Sequence, residues 1–172
     1  MIEREKTYLV KYIPEGLLNC RSKEIIDIYI PVSEEHPILR IRKNGNTYEI
    51  TKKTPMNGTD SSEQMEQTVP LTAEEFASLS MASGKRLQKQ RYYYDHKGRT
   101  AEVDIFQGDL SGLVIVDFEF DTSEEKDAFQ IPDFCLVEVT QERAFAGGIL
   151  SGKRYTDIES HLNRYRYVPL SI

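Results

Sequence analysis

Two short turns, each flanked by alternating charged and apolar residues, constrain the fold of this sequence more than any other feature. Asn44-Gly45 lies between residues 40–43 and 46–53, and an Asn-Gly pair is the strongest short-range signal for a two-residue hairpin turn. Lys97-Gly98 lies in the same way between residues 89–95 and 100–106. Because such a turn fixes the register of its two strands, it also fixes which side chains share a face. The sequence therefore predicts antiparallel hairpins whose faces can be assigned.

The first hairpin separates its charged residues from its apolar residues. The predicted register places Lys43 opposite Asn46, and alternate residues of a strand share a face. The apolar face then carries Ile41, Tyr48 and Ile50. The charged face carries Arg40, Arg42, Glu49, Thr51 and Lys53.

The second hairpin repeats this separation. A turn centred on Lys97-Gly98 places Arg91 opposite Asp104 and Tyr93 opposite Glu102, with Lys89 on the same face. The same period of two puts Glu3, Glu5 and Thr7 on one face of the first strand, and Asp117 and Glu119 on one face of segment 114–120.

The whole chain is predicted as one mainly β (α+β) domain covering residues 1–172. Nine strand-like segments are indicated: 2–12, 24–30, 37–43, 47–54, 63–70, 86–95, 100–106, 114–120 and 136–140. Capping-box patterns at Thr72–Glu75 and Thr122–Glu125 predict two short helices, and a third is expected over residues 155–165. Residues 54–62 carry turn-forming residues and predict a mobile loop.

Composition limits the possible partners and location. The net charge of −6 and the pI near 5.2 argue against nucleic-acid or anionic-membrane binding. The N-terminal residues lack the apolar core of a signal peptide, so a cytoplasmic protein is expected. Cys20 and Cys135 are expected to be buried free thiols, and the three isolated histidines are expected to be surface or satisfied groups.

Basic and acidic residues occupy different strands of the predicted charged faces. Bases cluster in segments 40–53 and 89–91, and acids in segments 3–5 and 102–119. One interpretation is the solvated outer face of a β-sandwich, but such surfaces usually intersperse the two signs. The alternative is a polar lumen in which carboxylates bind a divalent metal while Arg and Lys bind phosphate oxygens.

These motifs, in this order, resemble those of the CYTH, or triphosphate tunnel metalloenzyme, superfamily. The resemblance rests on Glu3-Arg-Glu5, Arg40-Ile-Arg42, Thr51-Lys-Lys53, Lys89-Gln-Arg91, Glu102-Val-Asp104, Asp109-Leu-Ser-Gly-Leu113 and Asp117-Phe-Glu119. The family's first strand reads Glu-x-Glu-x-Lys, whereas this chain has Thr7 at the Lys position. Its Arg-x-Glu-x-Glu strand reads Gln64-Met-Glu66-Gln-Thr68 here.

The resemblance implies a closed eight-stranded antiparallel β-barrel, a tunnel open at both ends with a few flanking helices. It implies metal-dependent hydrolysis of a triphosphate-containing small molecule or inorganic polyphosphate, with Mg²⁺ or Mn²⁺ as cofactor. The implied metal ligands are Glu3, Glu5, Asp104, Asp117 and Glu119. The implied phosphate-binding residues are Arg40, Arg42, Lys53, Lys89 and Arg91, with Arg143 and Lys153 as further candidates. The implied catalytic residues are Glu5, Glu102 and Lys53.

Three alternatives stay open at this stage. A class IV adenylate cyclase would share the fold and attack with the 3′-hydroxyl of ATP, although the sequence shows no purine pocket. A polyphosphate-binding module without turnover would fit the departures at Thr7 and Gln64. A lipocalin-type barrel fits less well, because its lumen should be apolar. Neither nucleic acid nor membrane is an expected partner, and a homodimer is left open.

Overall fold

The computed structural model describes residues 2–56 and 60–171, so residues 57–59 of the predicted loop lie outside the described residues. The nine strands are β1 (Ile2–Val10), β2 (Ser22–Ile30), β3 (Leu39–Asn44), β4 (Thr47–Pro55), β5 (Glu63–Leu71), β6 (Lys85–His96), β7 (Arg99–Phe106), β8 (Val114–Glu119) and β9 (Cys135–Glu138). The four α-helices are α1 (Ala73–Leu79), α2 (Ser123–Ala128), α3 (Gly147–Leu150) and α4 (Tyr155–Asn163).

Eight of these strands close into an antiparallel barrel. Their order is β5-β4-β3-β2-β6-β7-β8-β1, and residues 2–4 of β1 pair with β5 to complete the ring. The ninth strand, β9, pairs with the other end of β1. Closure leaves few unpaired strand edges. The predicted closed eight-stranded barrel is confirmed.

The hairpin registers explain why the predicted faces hold. In β6 and β7, Arg91 pairs with Asp104 and Tyr93 with Glu102, as predicted. In β3 and β4, Asn44 pairs with Thr47, so the turn residues are Gly45 and Asn46 rather than the predicted Asn44 and Gly45. Gly45 adopts the left-handed conformation, with φ of 60°. The register therefore differs by two residues from the prediction, and a shift of two leaves every side chain on its predicted face.

The apolar faces of β1, β7 and β8 pack outward beneath the flanking segments. Their buried core contains Tyr8, Val10, Leu17, Ala101, Val103, Val114, Val116, Phe118, Phe120, Phe134 and Cys135. Phe118 is at the centre, because its ring contacts those of Tyr8, Phe129 and Phe134. Burial of this surface drives the alternating strands to turn their charged faces inward.

The helices form at the expected places, with one addition. At α1, Thr72 and Glu75 form the reciprocal capping box, and at α2 the Thr122 side chain accepts a hydrogen bond from Glu125 N. The sequence did not predict α3, which begins with two glycines and is therefore intrinsically unfavourable as a helix. Its packing explains it, since a Cβ on Gly147 would overlap the Tyr29 side chain.

Two smaller expectations concern thiols and membranes. Both cysteines are free, as predicted, but only Cys135 is buried, while Cys20 is half-buried. Within residues 2–56 and 60–171, none of the helices has the length and apolarity that crossing a membrane requires.

The outer core predicts a large cost for truncating its central ring. Replacing Phe118 with Ala should lower the free energy of unfolding by about 3–5 kcal/mol, because the side chain is fully buried and leaves a cavity. Urea denaturation measures this cost. The control is Val69→Ala on β5, where the side chain is 58% exposed and the change should stay within about 0.5 kcal/mol. Equal losses in both variants would contradict the placement of the core.

Candidate functional site

The charged faces of the barrel strands surround one internal cavity of about 660 Å³. In β1 and β6 the inward side chains change from polar at one end of the barrel to apolar at the other. In β1 the inward series is Glu3, Glu5, Thr7 and Leu9, and in β6 it is Tyr93, Arg91, Lys89 and Leu87. The lumen is therefore polar over most of its length and apolar at one end.

A buried carboxylate on β2 organises the basic side of the cavity. Asp27 accepts two hydrogen bonds from Arg42, from Nε at 2.6 Å and from Nη2 at 2.9 Å. The Nε atom of Arg40 lies 3.8 Å from the same carboxylate. Burial alone would raise the pKa of Asp27, but Arg42 and Arg40 more than offset it and hold this pKa well below its usual value.

Asp104 on β7 is a second buried carboxylate, and it binds the two cations Lys89 and Arg91 of β6. Its two oxygens accept hydrogen bonds from Arg91 Nε and Nη2, both at 2.6 Å, and from the Lys89 ammonium group. Arg91 also donates to Glu102 and lies 3.5 Å from Asp117. Arg91 thus joins the basic side of the cavity to the acidic side.

The acidic side is formed by neighbouring carboxylates on β1, β7 and β8. Glu5 pairs across the strands with Glu119, and Glu102 with Asp117. Burial is the main cause that raises the pKa of Glu5 to about 7; the nearby Asp117 and Glu3 add to the shift and Lys53 opposes it. Burial also raises the pKa values of Glu102 and Glu119. The raised pKa values favour the protonated form of these carboxyl groups, and a bound cation would favour the ionised form.

Lys53 on β4 faces this acidic side. Its ammonium group binds the carboxylate of Glu3 and lies 3.3 Å from that of Glu66. Burial alone would lower the pKa of Lys53, but Glu5 and Glu3 more than offset it and raise this pKa above its usual value. Lys53 is therefore a cation throughout the physiological pH range.

The two ends of the lumen differ. At the acidic end, a second cavity of about 860 Å³ shares Glu3, Glu66, Glu102 and Glu119 with the first. At the other end, the segment 139–150 packs against the barrel, with Phe145 and Leu150 in an apolar cluster. The expected tunnel thus has one wide, charged mouth, and its other end is partly filled by this segment.

Most of the sequence-predicted site residues come together. Those that line the cavity are Glu3, Glu5, Arg40, Arg42, Lys53, Lys89, Arg91, Glu102, Asp104, Asp117, Glu119 and Arg143. Arg143 lies at its rim, where it is 2.9 Å from Glu35. Lys153 is not among the described residues that line the cavity.

The structure also places residues in the site that sequence reasoning missed. Tyr29 on β2 and Glu66 on β5 line the cavity, and Asp27 on β2 binds Arg42, which lines it. Asp27 carried a usable signal, because it is the one acid within the otherwise apolar segment 25–30. An ionised group in such a strand must find a partner inside the fold.

Thr7 and Lys6 can now be assigned to opposite faces of β1. Thr7 points inward, and its Oγ1 donates a hydrogen bond to Asp117 Oδ1 at 2.7 Å. Lys6 points outward and lies 3.4 Å from Glu138. The pairing of β1 with β8 is continuous from Glu5 to Leu9, so no bulge turns Lys6 into the lumen.

The cavity wall carries more acidic than basic side chains. Among the described residues that line it, nine are Asp or Glu and six are Lys or Arg. A polyanion entering this cavity alone would meet more carboxylates than cations.

A family match over most of the chain accompanies this closed barrel with acids and bases sorted in its lumen. The CYTH domain model matches residues 15–135, and the chain belongs to the CYTH family.

The similar proteins include an inorganic triphosphatase. A curated protein of that description from Nitrosomonas europaea is 30% identical over 153 residues, covering 88% of this chain and 97% of its own length. A crystal structure of an inorganic triphosphatase is 26% identical, with a TM-score of 0.64, and covers 88% of this chain and 95% of that one. A conserved hypothetical protein from Pyrococcus furiosus shares the fold at 24% identity, with a TM-score of 0.52 over 73% of this chain and 83% of that one.

The buried pairs predict a specific loss of stability in acid. Arg91 and Lys89 outweigh burial and lower the pKa of Asp104 below its usual value near 3.8. The stability it contributes is therefore present above pH 4 or so and is lost as the pH falls through the folded-state pKa. Asp104→Asn should cost about 3–5 kcal/mol at pH 7, because it leaves the buried Lys89 without its ion-pair partner and removes the charged acceptor of two Arg91 hydrogen bonds, and should flatten the acid limb of the stability profile.

Urea denaturation between pH 7 and pH 2 measures both effects. Asp127→Asn is the control, since Asp127 is an exposed residue of α2 and should keep the wild-type profile. A wild-type acid limb in Asp104→Asn would contradict the pairing.

Proposed function

We propose that this protein hydrolyses a phosphoanhydride bond of a linear triphosphate or polyphosphate held in the lumen, with the help of Mg²⁺ or Mn²⁺. The observation that carries the proposal is the sorting of charge inside a closed barrel, with Arg and Lys on one side and carboxylates on the other. The similarity to an inorganic triphosphatase over nearly the full chain supports it.

The residues present fit a divalent cation by their chemistry. Glu3, Glu5, Asp117 and Glu119 offer the hard oxygen ligands that Mg²⁺ and Mn²⁺ prefer, and burial raises the pKa of Glu5 to about 7, so an added cation would stabilise its ionised form. Within the described ranges, no group of three or more Asp, Glu, His or Cys side chains is arranged to hold a metal by itself. We infer that substrate oxygens complete the coordination.

The excess of carboxylates gives a second reason to propose a metal. The wall carries nine acids and six bases, so it should attract a bare triphosphate less than a metal complex of the triphosphate, which carries less negative charge. Such an ion would neutralise charge that develops on the phosphate oxygens.

Asp104 fits a different role from the other acids. The sequence resemblance implied a metal ligand, but its oxygens already accept hydrogen bonds from Lys89 and Arg91. We assign Asp104 to holding these two cations against the lumen.

The basic residues supply the binding of the phosphate chain. Arg40, Arg42, Lys89 and Arg91 would donate charge-assisted hydrogen bonds to its oxygens. Lys53, which its acidic neighbours keep protonated, suits a charge-assisted hydrogen bond to an oxygen of the leaving phosphate better than proton abstraction. Fixed cations of this kind supply most of the catalysis in phosphoryl transfer.

The attacking water needs an acceptor for its proton. Glu102 is the better candidate, because burial raises its pKa towards the range where a general base is most effective, whereas Glu5 is assigned to the metal. Glu102 also binds Arg91, so it lies next to the proposed phosphate site.

An assay for released phosphate tests the proposal. The protein with Mg²⁺ or Mn²⁺ should release phosphate from tripolyphosphate, and excess chelator should abolish the release. Glu5→Gln should lower kcat by about 100-fold or more, the range typical for loss of one electrostatic contact in a site. Glu124→Gln on the exposed surface of α2 should keep the wild-type rate.

The products separate this proposal from the alternatives. Cyclic AMP and pyrophosphate from ATP would identify a cyclase, and tight binding of tripolyphosphate without turnover would identify a binding module. Full turnover in excess chelator would overturn the metal requirement.

The inward position of Thr7 predicts the effect of restoring a cation. Thr7→Lys should tighten tripolyphosphate binding about ten-fold, because one charge-assisted contact contributes about 1.5–3 kcal/mol and 1.4 kcal/mol corresponds to a factor of ten. Calorimetric titration measures the change. The matched control is Lys6→Ala, which alters an outward side chain bound to Glu138 and should leave affinity unchanged. A loss of affinity in the control with no gain in Thr7→Lys would contradict the roles given to the two residues.

A further inference from the structure

The Asp27–Arg42 pair is the most completely buried bidentate contact on the basic side of the lumen. Asp27 is 1% exposed and Arg42 is 8% exposed, and two hydrogen bonds join them. A pair with this geometry fixes the plane of the guanidinium group as well as its position. Arg42 keeps Nη1 and the second hydrogen of Nη2 for another acceptor.

The neighbouring Arg40 is held differently. Its Nε is buried, and no described residue accepts a hydrogen bond from it. The closest carboxylate oxygen of Asp27 lies 3.8 Å away, which is an ion-pair distance but too long for a hydrogen bond. The Nε atom therefore lies inside the barrel wall, where the charge of Asp27 orients it, and it is out of reach of a ligand in the lumen. Arg40 itself lines the cavity, so the terminal nitrogens of its guanidinium group are the donors proposed for the substrate.

We propose that Asp27 is a positioning residue of the phosphate site, which holds Arg42 and orients Arg40 so that their remaining donors face the phosphate chain. This inference rests on the proposed function. Asp27 does not line the cavity itself, so it acts on substrate through the arginines and is not a catalytic residue.

The negative charge of Asp27 allows an experiment to distinguish the proposed positioning role from a role in stabilising the fold alone. Asp27 is an anion beside an anion-binding site, so it weakens ground-state attraction for phosphate while it fixes the donor geometry. Removing the charge should therefore strengthen the binding of a polyanion. The same change should lower kcat, because a guanidinium that is no longer fixed stabilises the transition state less well.

The test is Asp27→Asn, which keeps the size of the side chain and removes its charge. With tripolyphosphate and Mg²⁺, kcat should fall about ten-fold or more. Calorimetric titration of tripolyphosphate in EDTA, where turnover is not expected, should show affinity equal to or severalfold above that of the wild-type protein. Asp127→Asn, the same chemical change on the exposed face of α2, should alter neither value.

A double-mutant cycle shows whether Asp27 acts through Arg42. If it does, Asp27→Asn should have little further effect on kcat in an Arg42→Gln background, because coupled residues are not additive. That background also pairs the neutral Asn with a neutral Gln, so it removes the buried charge that Asp27→Asn would leave unpaired. Thermal unfolding of each variant reports the folded fraction.

The outcomes separate the two levels of the proposal. A fall in kcat with retained or tightened binding, which disappears in the Arg42→Gln background, supports the positioning role. An unchanged kcat, a fall that persists undiminished in that background, or weaker binding that follows a loss of folded protein overturns it. A wild-type protein that neither binds nor hydrolyses tripolyphosphate would overturn the proposed function itself.

Discussion

The pairing of opposite charges inside a closed barrel is the interaction on which the rest of this structure depends. An ionised group out of water costs several kcal/mol unless it is paired and hydrogen-bonded. Asp27 and Asp104 meet this requirement by each accepting bidentate hydrogen bonds from an arginine of a neighbouring strand. These contacts join β2 to β3 and β6 to β7 across the lumen wall, where an ordinary barrel of this size would have apolar packing.

The same pairing prepares the lumen for a ligand. Arg91 contacts Asp104, Glu102 and Asp117, so the basic and acidic sides form one continuous network. A ligand that carries both phosphate oxygens and a metal ion would offer an anionic partner to the basic side and a cationic partner to the acidic side. Each side already binds a protein group of that same charge. Binding would then exchange one set of ionic contacts for another, with the side chains already placed. The segment near Phe145 and Leu150 contributes an apolar cluster that partly fills the other end of the lumen, so most of the charged groups lie in the middle and at the wide mouth.

Sequence reasoning was most reliable where the period of a strand decides the outcome. The first hairpin pairs two residues away from its predicted register, yet Arg40, Arg42 and Lys53 still face inward because a shift of two preserves the face. Asp27 was missed because the surrounding isoleucines indicate a buried strand, and only the tertiary pairing with Arg42 shows why an acid is stable there. The helix α3 was missed for a related reason. Its glycines disfavour a helix locally, and they are explained only by the close approach of Tyr29.

The departures from the family pattern are consistent with this balance of charges. Where relatives have a lysine, Thr7 donates a hydrogen bond to Asp117, and Arg91 lies 3.5 Å from the same carboxylate. Asp117 is therefore partly satisfied without the lost cation, and the fold does not require a lysine at position 7. The absence of a lysine at position 7 does affect the binding of a polyanion, because it adds to the excess of acids over bases in the cavity wall. Additional positive charge would favour the proposed binding of phosphate in a lumen of this composition, and the proposed metal ion would supply a charge that Thr7 does not.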